Sequence, residues 1–355
     1  MIFVRSLTVC RSEILEFLRL WELSQDPRSP FEHLILTPLP GLTGPTRVST
    51  VQDCFAGRSH IIFDSGGYAV QQGDISYEEL YGRLLTYYRQ TQWADTYILP
   101  DYVPTSGLSE AEVEERVNAT IAVARLFYLE MPDTLQHKAM PVVQGHTRKQ
   151  IRACVEAYLD LGLDRFGFGS FGTTGTGSDI NIVTNQSLDL LSFLLDLSVR
   201  LGFKVHALGV GSPTLLPTLY RMGVYSFDSS CWLRTAGFGN VFMPFSKRRN
   251  ITGRRLLERS GHEPPISASE FRAAQEETGH KCYFCQSFDK LKNTRFYQIL
   301  HNLTVIMDTV DSLNLGSYLD NPYLVEIVEA SPYLLAAQKL NRSYQPILTQ
   351  EIHFE

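Results

Sequence analysis

KVHALGVG (204–211), SPTLLPTLYRMG (212–223) and VYSFDSS (224–230) form one continuous stretch of 27 residues. It reads as an apolar strand, a segment with helical periodicity over 213–222, and a second apolar strand. That succession is a βαβ unit, whose strands must run parallel because a crossover separates them. Working outward, the same rhythm recurs in HLILTPLP (33–40), HIIFDSGG (60–67), TYILPD (96–101), AMPVVQG (139–145) and RFGFGS (165–170). Helical periodicity fills 78–91, 109–130, 147–162 and 186–201 between them. Ser109 with Glu112 matches a capping box, and Thr147 precedes a periodic run, so helices start just after strands end. Seven mostly apolar strands predict a parallel sheet covered on both faces: an α/β fold, read as a (β/α)₈ TIM barrel in preference to an open doubly wound sheet.

Composition narrows the function. The chain has 355 residues, 44% hydrophobic, and 32 Lys+Arg against 38 Asp+Glu, a net charge of −6. This argues against non-specific coating of nucleic acid and leaves room for a local basic patch. The longest apolar run, Leu188 to Val199, is interrupted by Asp189 and Asp196, and MIFVRSLTVCRSEILEF lacks the features of a secretory signal. The expectation is a cytoplasmic protein with no membrane contact.

The pattern changes after residue 245. SKRRNITGRRLLERSGH carries Lys247, Arg248, Arg249, Arg254, Arg255 and Arg259, and HKCYFC follows. The expected organisation is therefore a barrel over 1–245 that carries the active site, a basic and metal-binding insert over 246–300, and C-terminal helices over 301–355, with helical runs at 295–315 and 322–342. His280, Cys282 and Cys285 lie close together, and His301 follows after fifteen further residues. Four soft or borderline ligands at this spacing suit one closed tetrahedral zinc site, structural because no coordination position is left for water.

In a barrel, chemistry gathers where strands end. Asp64, Asp101 and Asp228 all fall there, with Gln144 and the glycine-rich ends at 66–67, 167–172 and 209–211. Aspartate often caps the helix after a strand. Three acids with glycines that let a flat ligand approach the backbone point instead to a planar polar ligand. GFGSFG also fits a dinucleotide fingerprint, but the Thr-Gly run after it is a poor helix start. Cys231 reads as core packing, and His146 and His206 as satisfied structural histidines.

FDSGGYAVQQG, LPDYVP, VVQG, GFGSFG, LGVGSP, GVYSFDSS and the cluster ending in LHNL resemble, in that order, the motif series of the tRNA-guanine transglycosylase family. The resemblance spans about 60 to 303. It implies a (β/α)₈ barrel with an inserted zinc subdomain, Asp228 as nucleophile and Asp64 as general acid/base. It also implies a purine site of Asp101, Gln144 and Gly169, flanked by Gly145, Ser170 and Gly209, with Tyr68 and Leu208 sandwiching the base and the Gly169 N–H serving O6. Where enzymes acting on tRNA carry an Arg-rich run after the nucleophile, this chain has CWLRTAGFGN, which keeps Arg234 but has Gly237 and Phe238 where an Arg-Asn pair is expected. His280 replaces the usual first zinc cysteine. These departures resemble the DpdA branch, which implies exchange of guanine in DNA for a free 7-deazaguanine such as 7-cyano-7-deazaguanine. Arg234, Lys247, Arg248, Arg249, Arg254 and Arg255, with Trp232 and Phe238, become candidates for DNA contact. The alternatives are the same exchange on tRNA and a catalytically idle nucleic-acid-binding subunit. Accessory proteins that open the duplex and a homodimer are further expectations of partners.

Overall fold

A computed structural model describes residues 1–39, 45–105, 107–171, 183–253 and 264–339. Nine parallel segments form one sheet: β1 (Ile2–Ser6), β2 (His33–Leu36), β3 (His60–Phe63), β4 (Thr96–Ile98), β5 (Ala139–Met140), β6 (Val142–Val143), β7 (Arg165–Phe168), β8 (Lys204–Ala207) and β9 (Ser226–Ser229). Their lateral order is β5-β4-β3-β2-β1-β9-β8-β7-β6. The two ends of that order, β5 and β6, are halves of one run of chain divided at Pro141, which has no N–H to give to a ladder. The order thus returns on itself as a TIM-type barrel with helices around it.

β1 is the strand the sequence did not reveal. It lies between β2 and β9, and its register sets Val4 opposite Asp228. Alternation along the strands sends Val4, Ile35, Ile62, Ile98, Met140 and Val142 into one cluster inside the barrel, while Phe3, Leu34, Ile61 and Phe63 join the larger core under the helices. Ser109 and Thr147 cap the helices Glu110–Glu130 and Arg148–Leu159 with complete capping boxes.

Two expectations change. The run at 322–342 is two helices, Pro322–Glu329 and Pro332–Lys339. Pro332 starts the second helix and disfavours helical geometry in the residue before it, so the chain breaks at Ser331. Trp232 does not face a ligand. It is fully buried on the short helix Cys231–Gly237, donates from Nε1 to Ser229 O at 3.1 Å, and packs against Phe17 and Phe31. The helix Arg295–Leu315 packs beside it, and Asn302 there donates to Trp232 O and Asn240 O. This long helix runs through residue 300, where the expected insert ended.

Candidate active site and metal centre

Every polar residue singled out at a strand end lies at the same mouth of the barrel. Asp64 follows β3, Asp101 follows β4, Gln144 follows β6, Gly169 follows β7, Gly209 follows β8, and Asp228 is in β9. Hydroxyls from neighbouring strand ends reach the acids. Thr37 Oγ1 donates to Asp64 Oδ2 at 3.0 Å, Ser65 Oγ to Asp101 Oδ1 at 3.3 Å, and Ser6 Oγ to Asp228 Oδ2 at 3.3 Å. None of these three was foreseen. Serine and threonine are common in strands and turns, and only the register of β1 and β2 gives Ser6 and Thr37 a partner.

The three acids are electrically linked. Burial pushes the Asp64 carboxyl above its ordinary range and the charge of Asp228 adds to this, against the opposing bond from Thr37. Burial raises Asp101 to about 6; Gln144 and Ser65 pull it down through hydrogen bonds, and the charge of Asp64 pushes it up. One mouth therefore holds two carboxyls, Asp64 and Asp101, that keep a proton more firmly than usual, which suits proton transfer.

Gln144 is fixed from both ends. Its Nε2 donates to Asp101 Oδ2 at 2.7 Å, and its Oε1 accepts from Ser170 Oγ at 3.1 Å. Ser170 Oγ in turn accepts from the Gly145 N–H at 2.8 Å. The glycine roles differ from those expected. The Gly169 N–H is spent on Val143 O at 3.2 Å and does not face a ligand. Glycine is required there for space, because a Cβ would lie 2.4 Å from Gln144 Nε2. The Gly209 N–H donates to Asp228 Oδ1 at 2.7 Å, so it holds the acid. Leu208 packs on the inner apolar cluster, and the Tyr68 side chain lies outside the described residues.

Two predictions arise here. Gly169→Ala is expected to cost roughly 1–3 kcal/mol of stability by overpacking. In a Gln144→Ala background the same substitution should cost clearly less in thermal melts, since the clashing amide is gone; an equal cost in both backgrounds would refute the contact. Asp101→Asn is expected to stabilise the protein at neutral pH. The folded-state value, about 6, lies above the ordinary 3.8. The carboxyl therefore favours the folded state below the lower value, and that contribution is lost as pH rises through the upper one. The neutral amide avoids a loss of roughly 3 kcal/mol at full ionisation. Melts should show a gain of several degrees at pH 7.5 that vanishes near pH 4; a pH-independent difference would contradict the assignment.

The metal cluster is separate from this mouth. His280, Cys282, Cys285 and His301 place one ligand atom each within 4.8 Å of one another. Cys282 and Cys285 bracket the short turn Tyr283–Cys285, and His301 comes from Arg295–Leu315. The imidazoles are aimed by their outer partners. His301 Nε2 lies 2.9 Å from Phe242 O, which leaves Nδ1 towards Cys282 Sγ at 3.4 Å. His280 Nδ1 lies 2.8 Å from Asp308 Oδ2, and its buried Nε2 has no hydrogen-bond partner. A buried nitrogen left without a partner beside two thiols fits a metal ligand. Donation from the Cys282 thiol at 3.3 Å, with the His280 and His301 imidazoles close by, holds the Cys285 thiol well below its ordinary range, towards the thiolate form that binds metal.

Of the expected nucleic-acid contacts, Arg234, Phe238, Lys247, Arg248 and Arg249 are exposed. Arg254 and Arg255, with Arg259, lie outside the described residues. Cys231 donates to Gly211 O at 3.3 Å, and burial raises its thiol to about 11, which suits packing and not nucleophilic attack. Among the described residues no helix is long and apolar enough to cross a membrane.

The closed parallel barrel, acids at the C-terminal ends of its strands and an outlying His/Cys cluster define a barrel enzyme with a carboxylate site. The family model described as queuine tRNA-ribosyltransferase matches residues 85–313. That is more than half of the chain, and the protein belongs to this family of ribosyl-transferring enzymes. A comparison with curated proteins gives no significant match.

Proposed function

We propose that this protein exchanges guanine in DNA for a free 7-deazaguanine, such as 7-cyano-7-deazaguanine, through a covalent glycosyl-aspartate. The observation that carries the chemistry is the pairing of Asp64 and Asp228 at one mouth, close enough for the charge of one to raise the proton affinity of the other. Asp228 supplies a carboxylate oxygen to the anomeric carbon. As that bond forms, the bond from the anomeric carbon to guanine N9 breaks and its electron pair leaves with the base. Asp64, which holds its proton more firmly than an ordinary carboxyl, supplies a proton to the leaving base and takes one from the incoming base. The second displacement reverses the first and regenerates the Asp228 carboxylate. No other reactant is consumed.

Purine selection fits the Asp101–Gln144 pair. A carboxylate at Asp101 accepts from guanine N1–H and the exocyclic amine, and the remaining Gln144 amide proton is a donor for O6. Adenine presents the reverse pattern on that edge. For the Cys/His cluster, two thiolates and two imidazoles at one point favour zinc among the common divalent ions. His280, Cys282, Cys285 and His301 would hold it, and it would brace the turn Tyr283–Cys285 against the helix carrying His301.

The DNA assignment rests on the departures in the sequence: a short helix with a buried Trp232 and Gly237–Phe238 where an Arg-Asn pair would grip an anticodon loop, and histidine at position 280. Exposed Arg234, Lys247, Arg248 and Arg249 supply cations for a phosphate backbone. The deciding experiment offers labelled guanine and labelled 7-cyano-7-deazaguanine with duplex DNA, single-stranded DNA or tRNA. Label is expected in DNA. Label entering tRNA alone overturns the DNA reading and keeps the chemistry; no label in any polymer, with no covalent adduct, overturns both.

A further inference from the structure

The reaction above uses Asp228 and leaves unexplained the imidazole buried beside it. His206 lies in β8, is 1% exposed, and is engaged on both sides of its ring. Nδ1 is 2.8 Å from Ser226 Oγ, and Nε2 is 3.3 Å from Asp228 Oδ1. Register pairs His206 with Ser226 across β8 and β9, and Ser226 and Asp228, two apart, share a face of β9. The barrel interior also carries an apolar cluster that includes Val4, Ile62 and Met140. An imidazole there forfeits hydration and requires polar partners, and one of the two it has is the proposed nucleophile.

The partners dictate the orientation of the ring. An ionised carboxylate only accepts, so the nitrogen facing Asp228 carries hydrogen. The other nitrogen meets a hydroxyl, which can donate or accept. Asp228 Oδ1 then takes two nitrogen donors, the His206 Nε2–H and the Gly209 N–H at 2.7 Å, while Oδ2 takes the Ser6 hydroxyl at 3.3 Å. The two oxygens of one carboxylate are thereby made unequal.

Resting on the transglycosylase reading of this mouth, we infer that His206 is a positioning residue for Asp228: with Gly209 it anchors Oδ1, leaving Oδ2 to bond to the anomeric carbon. The donors act differently on the two states of the acid. When Oδ2 forms the ester, negative charge leaves Oδ1 and its hydrogen bonds weaken. When the incoming base displaces the sugar, the bond from Oδ2 to the anomeric carbon breaks, charge returns to the carboxylate and the hydrogen bonds strengthen. His206 therefore favours release of the sugar from Asp228 as well as aiming the acid. Removing its donor should slow exchange and shift the balance towards the covalent adduct. A residue serving packing alone would lower exchange and adduct together.

Two amide substitutions of different reach separate the roles. In His206→Gln the amide nitrogen can take the place of Nε2 and keep the bond to Asp228; in His206→Asn the amide reaches the Ser226 side only. Labelled guanine exchange is measured in the polymer that wild type accepts, together with the fraction of polymer bound to protein after denaturation and the thermal melt of each variant. Expected for His206→Asn is an exchange rate down roughly tenfold or more with an adduct fraction equal to or above wild type, and for His206→Gln exchange within roughly threefold of wild type. Should His206→Asn fail to fold, Ser226→Ala, which leaves the ring in place without its tether, is expected to lower exchange roughly threefold with the adduct fraction maintained. Variants that lose exchange equally, or an adduct that falls in step with exchange, overturn the inference alone. Wild-type protein that neither exchanges a base nor forms an adduct overturns the transglycosylase reading and this inference with it.

Discussion

Asp228→Asn is expected to abolish base exchange, by roughly four orders of magnitude or more, and to leave no covalent adduct. The substitution is close to isosteric, and its surroundings can accept it. The amide oxygen can take the bonds from the Gly209 N–H and His206 Nε2, and the amide nitrogen can donate to the Ser6 hydroxyl. Folding and metal content should therefore be unchanged, which separates lost chemistry from lost structure. What the amide lacks is a negatively charged oxygen with an electron pair to give to the anomeric carbon. The same change removes the charge that helps to raise Asp64, so the Asp64 carboxyl should titrate at lower pH in the variant than in wild type. A carbon-13 titration of labelled aspartate reads this without any substrate. A variant that keeps exchange, or an Asp64 titration that does not move, would show that the two acids do not form one site.

This linkage between acids was only partly legible in the sequence. Apolar strands are a local pattern, and seven of them implied the barrel, six ending in the aspartate, glutamine or glycine of its mouth. β1 was not legible. IFVRS is short, and Arg5 breaks its apolar run. Arg5 is buried all the same, with Nη1 donating to Phe3 O at 2.8 Å. Missing β1 hid Ser6 and, with it, one of the partners of Asp228. Trp232 shows the opposite failure. Its place beside Asp228 suggested a surface for nucleic acid, but the aromatic pocket of Phe17 and Phe31 that receives it comes from segments two hundred residues earlier in the chain. Composition and spacing carry no trace of such a contact.

The glycines make a related point. Glycine at the strand ends was legible as a demand for close approach, but the sequence did not show what approaches. At Gly169 it is the Gln144 amide and at Gly67 the Asp101 carboxylate, since added Cβ atoms would sit 2.4 Å and 3.0 Å from them. Asp101 and Gln144 are thus packed against backbone on one side. The pair owes its rigidity to missing side chains as much as to hydrogen bonds, which suits the purine selection proposed for it.

Loss of the metal is expected to have the other large effect, on stability and not on the reacting atoms. Protein purified without chelators should carry about one zinc per chain, and Cys282→Ala should lose it. The ligands join a turn, Tyr283–Cys285, to the long helix Arg295–Leu315, whose inward face packs into the main core. Without the ion, two thiols and a His280 nitrogen without a partner remain crowded in a site built for a cation. An ion held at about a thousand times its dissociation constant stabilises by about 4 kcal/mol, so its removal should lower the melting temperature by on the order of 10 °C. Asp308→Ala provides a finer test. Asp308 Oδ2 orients His280 Nδ1, and its Oδ1 accepts from Arg28 Nη1 at 2.8 Å, which ties the cluster to the segment before β2. Cutting that support should weaken metal binding roughly 10–100-fold in competition with a chromogenic chelator, with the barrel mouth intact. Metal-free protein as stable as the loaded form would remove the cluster from any structural role, and unchanged affinity in Asp308→Ala would show that His280 needs no orienting partner.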